Sequence, residues 1–163
     1  MRIPFWTAAA ILVALLVQSA VSQAAPGYAR ILDPFLLVLV YCGLSGGETH
    51  GMLAGAAAGW VQDVHFGGNV MGLSGLTKIL VGFAVGVGAA RFLLAGPGAR
   101  LLVLLVATVV DAVLFEQLAA IFDVRAYELS TGGLATRATL NAVIGVLLFE
   151  VVDRRRRRRE LRS

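Results

Sequence analysis

Residues 51–86, GMLAGAAAGWVQDVHFGGNVMGLSGLTKILVGFAVG, decide how the rest of the chain folds. Five glycines recur there at four-residue spacing in two runs: Gly51, Gly55 and Gly59, then Gly82 and Gly86. Because residues four apart share one face of a helix, each run predicts a helix whose glycine face another backbone can approach closely. That backbone belongs either to this chain, as internal packing, or to a partner protein.

A turn separates the two predicted helices, and a single carboxylate precedes it. The residues interpreted as building this turn are Asp63, Phe66, Gly67, Gly68 and Gly72. Glycine suits such a turn because it adopts backbone conformations that other residues avoid. We interpret Asp63 as holding the turn in place, which sets how the two glycine faces are presented, and we assign it no catalytic role.

The composition is that of an integral membrane protein. Of 163 residues, 58% are hydrophobic, and the mean hydropathy is +0.83, well above that of a soluble domain. The single cysteine, Cys42, allows no intrachain disulfide, and His50 and His65 have no ligand at metal spacing. The chain contains no Walker A, HExxH or CxxC motif, and although residues 43–47, GLSGG, match the GxSxG pattern, we interpret their glycines as loop glycines. The sequence therefore predicts no enzyme, metal site or cofactor.

Apolar runs on either side of the glycine-rich centre predict the membrane spans. Three runs are long enough to cross the hydrocarbon core, residues 73–94, 101–121 and 134–152. Residues 31–44 and 49–61 are short for complete crossings. The first of these opens with Asp33 as N-cap and Pro34 in the first turn. Residues 5–21 are interpreted as a retained first helix, with a cleaved signal peptide as the alternative.

Charge in the loops predicts the orientation. The loop at residues 91–100 is positive, the loop at 123–128 is net negative, and the C-terminal run is strongly basic. Because positive charge stays on the cytoplasmic side, we place the first loop and the C-terminus in the cytoplasm. Six crossings, or four crossings plus a hairpin, put the N-terminus there too. Five crossings, with residues 31–61 as one broken span, put it outside.

We therefore predict an all-α integral membrane protein, a bundle of about six transmembrane helices of which two are short. Residues 1–152 form one polytopic transmembrane domain, and residues 153–163 form a basic cytoplasmic tail. The tail contains a run of six consecutive arginines, Arg154, Arg155, Arg156, Arg157, Arg158 and Arg159. We interpret them as an anchor to anionic membrane lipid, with a cytoplasmic protein partner as the alternative and no nucleic-acid binding.

Polar side chains fall inside the predicted spans: Lys78, Asp111, Glu116, Arg137 and Asn141. Charges in hydrocarbon are costly unless they are paired or reach water. We therefore expect Lys78 to pair with Asp63, and Arg137 to pair with Glu116. In the alternative, each long side chain snorkels separately to the outer interface.

Asp111 differs from the other charged residues because it lies mid-span, about 15 Å from either face by helical rise. It cannot snorkel from this depth. An acidic residue there faces the bundle interior, where Asn141 and Thr108 are candidate partners. We interpret Asp111 as a structural link between helices. The alternative is an ion path, which normally shows more than one deep ionisable group.

The order of these elements resembles the MreD family of small inner-membrane rod shape-determining proteins. The residues that carry the resemblance are Asp33, Pro34 and Phe35 at the opening of a span, Gly51, Gly55 and Gly59 before Asp63, then Phe66, Gly67, Gly72, Leu73, Gly75, Leu76 and Gly82. The resemblance covers nearly the whole chain, with its length, span pattern and basic end. His65 and the six arginines look peculiar to this sequence and receive no family role.

The resemblance implies a non-enzymatic scaffold in the bacterial inner membrane, within the machinery that elongates the cell wall and maintains rod shape. The implied partners are MreC as the direct partner, the actin-like MreB, RodZ, and the RodA glycosyltransferase with its class B penicillin-binding transpeptidase. The fold is also similar to the six-helix substrate-binding subunits of energy-coupling factor vitamin transporters, which implies small-molecule uptake as the alternative. A sealed, glycine-packed interior favours the scaffold, whereas a polar cavity open to the outside favours uptake.

Overall fold

This computed structural model describes residues 2–29, 31–66, 72–92, 96–123 and 130–160, and most of these residues are helical. In chain order the helices are α1 (Arg2–Ala24), α2 (Pro26–Ala29), α3 (Pro34–Phe66), α4 (Leu73–Arg91), α5 (Pro97–Ile121) and α6 (Thr131–Glu160). The all-α prediction is confirmed for these residues.

Four helices within the described residues are long and apolar enough to cross a membrane. They are α1 over Phe5–Ala24, α4 over Leu73–Arg91, α5 over Pro97–Ile121 and α6 over Thr131–Arg155. Helix α1 packs on α3, where Ile11 and Ala14 are buried with Phe35 and Ala58. The interpretation of α1 as a retained helix, with a cleaved signal peptide as the alternative, stays a prediction. Helix α6 runs beyond the predicted span, through the basic run to Glu160.

Helix α3 consists of two limbs, residues 34–46 and 48–66, joined by a reversal at Gly47. This residue has φ 78° and ψ −169°, a conformation open essentially to glycine alone. The limbs fold back on each other: a Cβ at Gly51 would lie 3.1 Å from the Cα of Gly43, and the rings of Phe35 and Phe66 lie 6.4 Å apart. The two short predicted segments therefore form a helical hairpin.

Contacts between segments show which ends lie together. Thr7 of α1 contacts Cys42, near the reversal of α3, at 3.8 Å. The Tyr41 hydroxyl and an Arg100 guanidinium nitrogen both donate to the carboxylate of Asp153, near the end of α6. The beginning of α1, the α3 reversal, the start of α5 and the basic run thus share one end of the bundle, which we call the tail end.

Six long segments therefore alternate in direction: α1, the two limbs of α3, α4, α5 and α6. Both ends of the described chain lie at the tail end. This is the arrangement of the six-crossing and hairpin alternatives, and it differs from one broken span over residues 31–61. The count of about six crossings stays a prediction, because the limbs of α3 are not among the helices long and apolar enough to span.

Candidate functional site

Four charged side chains meet inside the bundle, towards the end opposite the basic run. They are Asp33 before the first limb of α3, Lys78 of α4, Asp111 of α5 and Arg137 of α6, and we call them the charge cluster. Lys78 Nζ lies 2.9 Å from Asp33 Oδ2 and 3.5 Å from Asp111 Oδ1. A guanidinium nitrogen of Arg137 lies 3.3 Å from Asp33 Oδ2 and 3.3 Å from Asp111 Oδ2. Two acids and two bases therefore balance, and all four segments are joined.

The charge cluster is buried. The side chain of Lys78 is 2% exposed, those of Asp33 and Asp111 are 4% exposed, and that of Arg137 is 16% exposed. Buried charges have lost their hydration, so they depend on their partners, and removal of one partner leaves the others uncompensated. The arrangement is suited to cross-linking helices.

Asp33 also begins α3. Its Oδ1 accepts the N–H of Leu36 at 3.0 Å, which makes it the predicted N-cap. The N–H of Asp33 donates to Asn141 Oδ1 at 3.0 Å, and Asn141 Nδ2 donates to the Ile31 carbonyl at 3.4 Å. Asn141 thereby ties α6 to the backbone at the start of α3.

The pairing predicted for Lys78 is wrong. Lys78 binds Asp33 and Asp111 instead of Asp63, whose carboxylate is occupied by backbone N–H groups. At 2% exposure Lys78 does not snorkel either. The sequence analysis assigned Asp33 only to the N-cap of a span. No charge count pointed to it as an ion-pair partner, because Asp111 and Glu116 already balance Lys78 and Arg137 within the predicted spans.

The pairing predicted for Arg137 is also wrong, because Arg137 reaches Asp111 while Glu116 is exposed on the surface. The partners expected for Asp111 bond elsewhere. Thr108 donates to a carbonyl of its own helix at 2.7 Å, and Asn141 bonds the start of α3. Asp111 does link helices, but the link is ionic and joins α5 to α4 and α6.

Asp63 belongs to the turn between α3 and α4, outside the charge cluster. Its Oδ2 accepts the N–H of Gly72 at 2.9 Å and of Gly75 at 3.1 Å, and its Oδ1 accepts the N–H of Ser74 at 3.2 Å. The first N–H groups of a helix have no partner within it. Asp63 supplies that partner to α4 from the preceding helix and so fixes how the two helices meet.

The other predicted turn residues are placed in part. Phe66 is the last residue of α3 and packs its ring near Phe35. Gly72 has φ 98°, a left-handed conformation that favours glycine at the entry to α4. Gly67 and Gly68 lie outside the described residues.

The glycine face of α3 lies directly on α4. A Cβ at each predicted glycine would collide with the facing backbone, Gly51 with Gly82, Gly55 with Lys78, Gly59 with Gly75, Gly82 with Gly51 and Gly86 with Glu48. The two helices are in backbone contact along this face. This geometry is internal packing, and it leaves no room for a partner helix on the same glycines.

The basic run continues α6 as a helix. Arg154 pairs with Glu150 at 3.0 Å on the exposed surface, and Arg155 is exposed. The side chains of Arg156, Arg157 and Arg159 lie outside those described. Among the described residues, His, Cys, Asp and Glu side chains form no group of three that would hold a metal ion.

These features define a class, a multi-pass membrane protein whose described helices are joined by glycine contacts and by paired charges. The sequence profile described as rod shape-determining protein MreD matches residues 2–153. The chain therefore belongs to the MreD family of shape-determining membrane proteins and has a role in rod shape determination.

Comparison with curated proteins gives no match, and comparison with solved structures gives none either. The similarity to energy-coupling factor subunits therefore stays a prediction.

Proposed function

We propose that the protein is a non-enzymatic inner-membrane scaffold of the cell-wall elongation complex, binding MreC and helping to couple MreB to peptidoglycan synthesis. The family match over residues 2–153 carries the proposal. RodA with its class B penicillin-binding transpeptidase, and RodZ, complete the set of proposed partners. In this proposal the C-terminus lies in the cytoplasm, on the side of MreB.

The interior of the bundle supports a scaffold. The four members of the charge cluster bind one another, and the backbones of α3 and α4 are in contact. Small-molecule uptake needs a polar cavity open to the outer face. Among the described residues, a polar cavity of ≈ 460 Å³ between Tyr41 and Asp153 lies at the tail end, which this proposal places in the cytoplasm.

The experiment separates a structural from a chemical use of the charge cluster. In cells depleted of the native protein, the wild type should restore rod shape and co-purify with MreC. The double variant Lys78→Gln/Asp111→Asn removes one base and one acid and leaves Asp33 paired with Arg137. Because a scaffold needs balance rather than ionisable groups, this variant should restore rod shape and capture MreC wherever its membrane level matches the wild type.

Glu116→Gln is the matched control, because Glu116 is exposed and outside the charge cluster. Rounded cells at a normal level of the double variant, with MreC still captured, would show that the charges perform chemistry and would refute the scaffold. Wild-type protein that restores rod shape without capturing MreC would refute the partner assignment.

A further inference from the structure

A cavity of ≈ 460 Å³ opens at the tail end of the bundle. It is lined by the end of the first limb of α3, the ends of α4 and α6, and the start of α5. Its lining includes Tyr41, Arg91, Phe92, Arg100 and Asp153. Its size falls in the range of small-molecule sites, about 300–1,000 Å³. The charge cluster lies elsewhere in the bundle and does not line it.

The charges of this cavity favour an anion. Arg100 donates to Asp153 Oδ2 at 2.6 Å, and Tyr41 donates to Asp153 Oδ1 at 3.0 Å, so both carboxylate oxygens are occupied. Arg91 ends α4 and is exposed, and no carboxylate of the described residues lies within ion-pair distance of it. Two guanidinium groups against one carboxylate leave a net positive charge, and guanidinium donors match the geometry of phosphate oxygens.

An apolar groove of ≈ 260 Å³ lies between α4 and α5 and shares one lining residue, Phe92, with the cavity. Phe92 lines both and is 67% exposed, which makes it the boundary between them. The rest of the groove is lined by small and aliphatic residues of α4 and α5, among them Val81, Ala84 and Val106. From Val81 to Phe92 a helix rises about 16 Å, close to the thickness of one leaflet of a hydrocarbon core of about 30 Å.

We propose that the cavity and groove together bind one anionic phospholipid from the leaflet at the tail end. Its phosphate lies between Arg91 and Arg100, and an acyl chain fills the groove between α4 and α5. A zwitterionic lipid would bring its own cation towards the two arginines, so the site prefers a lipid with net negative charge. This binding is independent of the proposed scaffold function.

The site differs from the attraction of the basic run for membranes. Arginines on an exposed helix attract any anionic surface and hold no particular lipid molecule. In the cavity, Arg100 is fixed by Asp153, and the groove gives the chain a defined path. One lipid should therefore stay bound through purification.

The experiment uses the full-length protein in detergent and native mass spectrometry with added dioleoyl phosphatidylglycerol or dioleoyl phosphatidylcholine. One phosphatidylglycerol should be retained in preference to phosphatidylcholine. Arg91→Gln should weaken that retention about tenfold, the loss expected for one charge-assisted hydrogen-bond partner. Ala84→Phe should weaken it by filling the groove from α4, and Val106→Phe repeats the groove test from α5.

Each comparison arm supports or overturns the proposal. Arg155→Gln removes the same charge from the exposed tail, and equal loss in this variant would assign the binding to the tail. Equal retention of phosphatidylglycerol and phosphatidylcholine would show that the site does not select an anionic lipid, and would overturn the proposal. Displacement of the lipid by inorganic phosphate or glycerol 3-phosphate at equal concentration would show that the acyl chain contributes nothing, and would also overturn it.

Discussion

Asp33 serves two parts of the molecule at once. One of its oxygens caps α3 through Leu36, while the other binds Lys78 and Arg137. A cap places a carboxylate wherever a helix begins. Because α3 begins inside the bundle, the capping carboxylate is also a counter-ion, and a substitution at Asp33 would disturb both roles. Lys78 is the cleaner position at which to test the charge cluster.

Lys78→Gln should destabilise the protein strongly. It leaves two carboxylates of 4% exposure facing Arg137 alone, and breaking a buried ion pair from one side costs about 3–5 kcal/mol. Addition of Asp111→Asn restores charge balance in the cluster, so the double variant should have a higher free energy of unfolding than Lys78→Gln. Unfolding titrations in mixed micelles measure the difference. A free energy of unfolding for Lys78→Gln equal to that of exposed Glu116→Gln would contradict the prediction.

Helix α4 and the second limb of α3 are in backbone contact, and that contact depends on glycines, which have no side chain to keep the two helices apart. A methyl group at Gly55 would meet the Lys78 carbonyl, which is backbone and has no other rotamer to adopt. The helices would have to separate, and Lys78 would move away from Asp33. Helix packing and the charge cluster are thus coupled through one backbone position.

Gly55→Ala should therefore lower the yield of folded protein sharply. Gly132→Ala is the matched control, because nothing lies within 4 Å of a Cβ at that helical position. There, alanine should be neutral or stabilise the helix by up to about 1 kcal/mol. The monodisperse fraction on size-exclusion chromatography measures both. Similar fractions for the two variants would show that the α3–α4 contact is looser than the structure has it.

The reversal of α3 should be sensitive at Gly47 for a different reason. A Cβ at Gly47 would meet nothing within 4 Å, yet the backbone there has φ 78°, a conformation that residues other than glycine rarely adopt. Gly47→Ala should cost about 1–3 kcal/mol through backbone strain alone. Gly27→Ala, also in open space but without a positive φ, should cost less. Thermal unfolding in detergent compares the two, and equal midpoints would mean that α3 tolerates another reversal.

Local features of these elements could be predicted from the sequence, and distant pairings could not. Asp33 and Pro34 indicate the start of a helix, because an N-cap side chain binds a backbone N–H within three residues of itself. The partners of Lys78 lie in other segments, and no spacing rule reaches them. A depth estimate for each span treats every helix as straight and separate, so it assigned Lys78 and Asp111 to different levels, although they meet at 3.5 Å.

At the scale of the whole molecule, the alternating segments bring both ends of the described chain, residues 2 and 160, to the tail end. A fluorescent reporter that matures only in the cytoplasm should therefore give the same result at either terminus, and in the proposed orientation both fusions should fluoresce. Fluorescence from the C-terminal fusion alone would contradict the packing of α1 against the first limb of α3. Fluorescence from neither fusion would show that the orientation in the membrane is the opposite of the proposed one.

The charge cluster is complete only after the last helix of the chain has been made. Segments leave the ribosome in chain order, and Arg137 belongs to the last helix. Until α6 is made, Asp33, Lys78 and Asp111 together carry one uncompensated negative charge in an apolar setting, which is costly. A chain that stops before α6 should therefore be less stably assembled than the finished protein, because one of its buried acids has no basic partner.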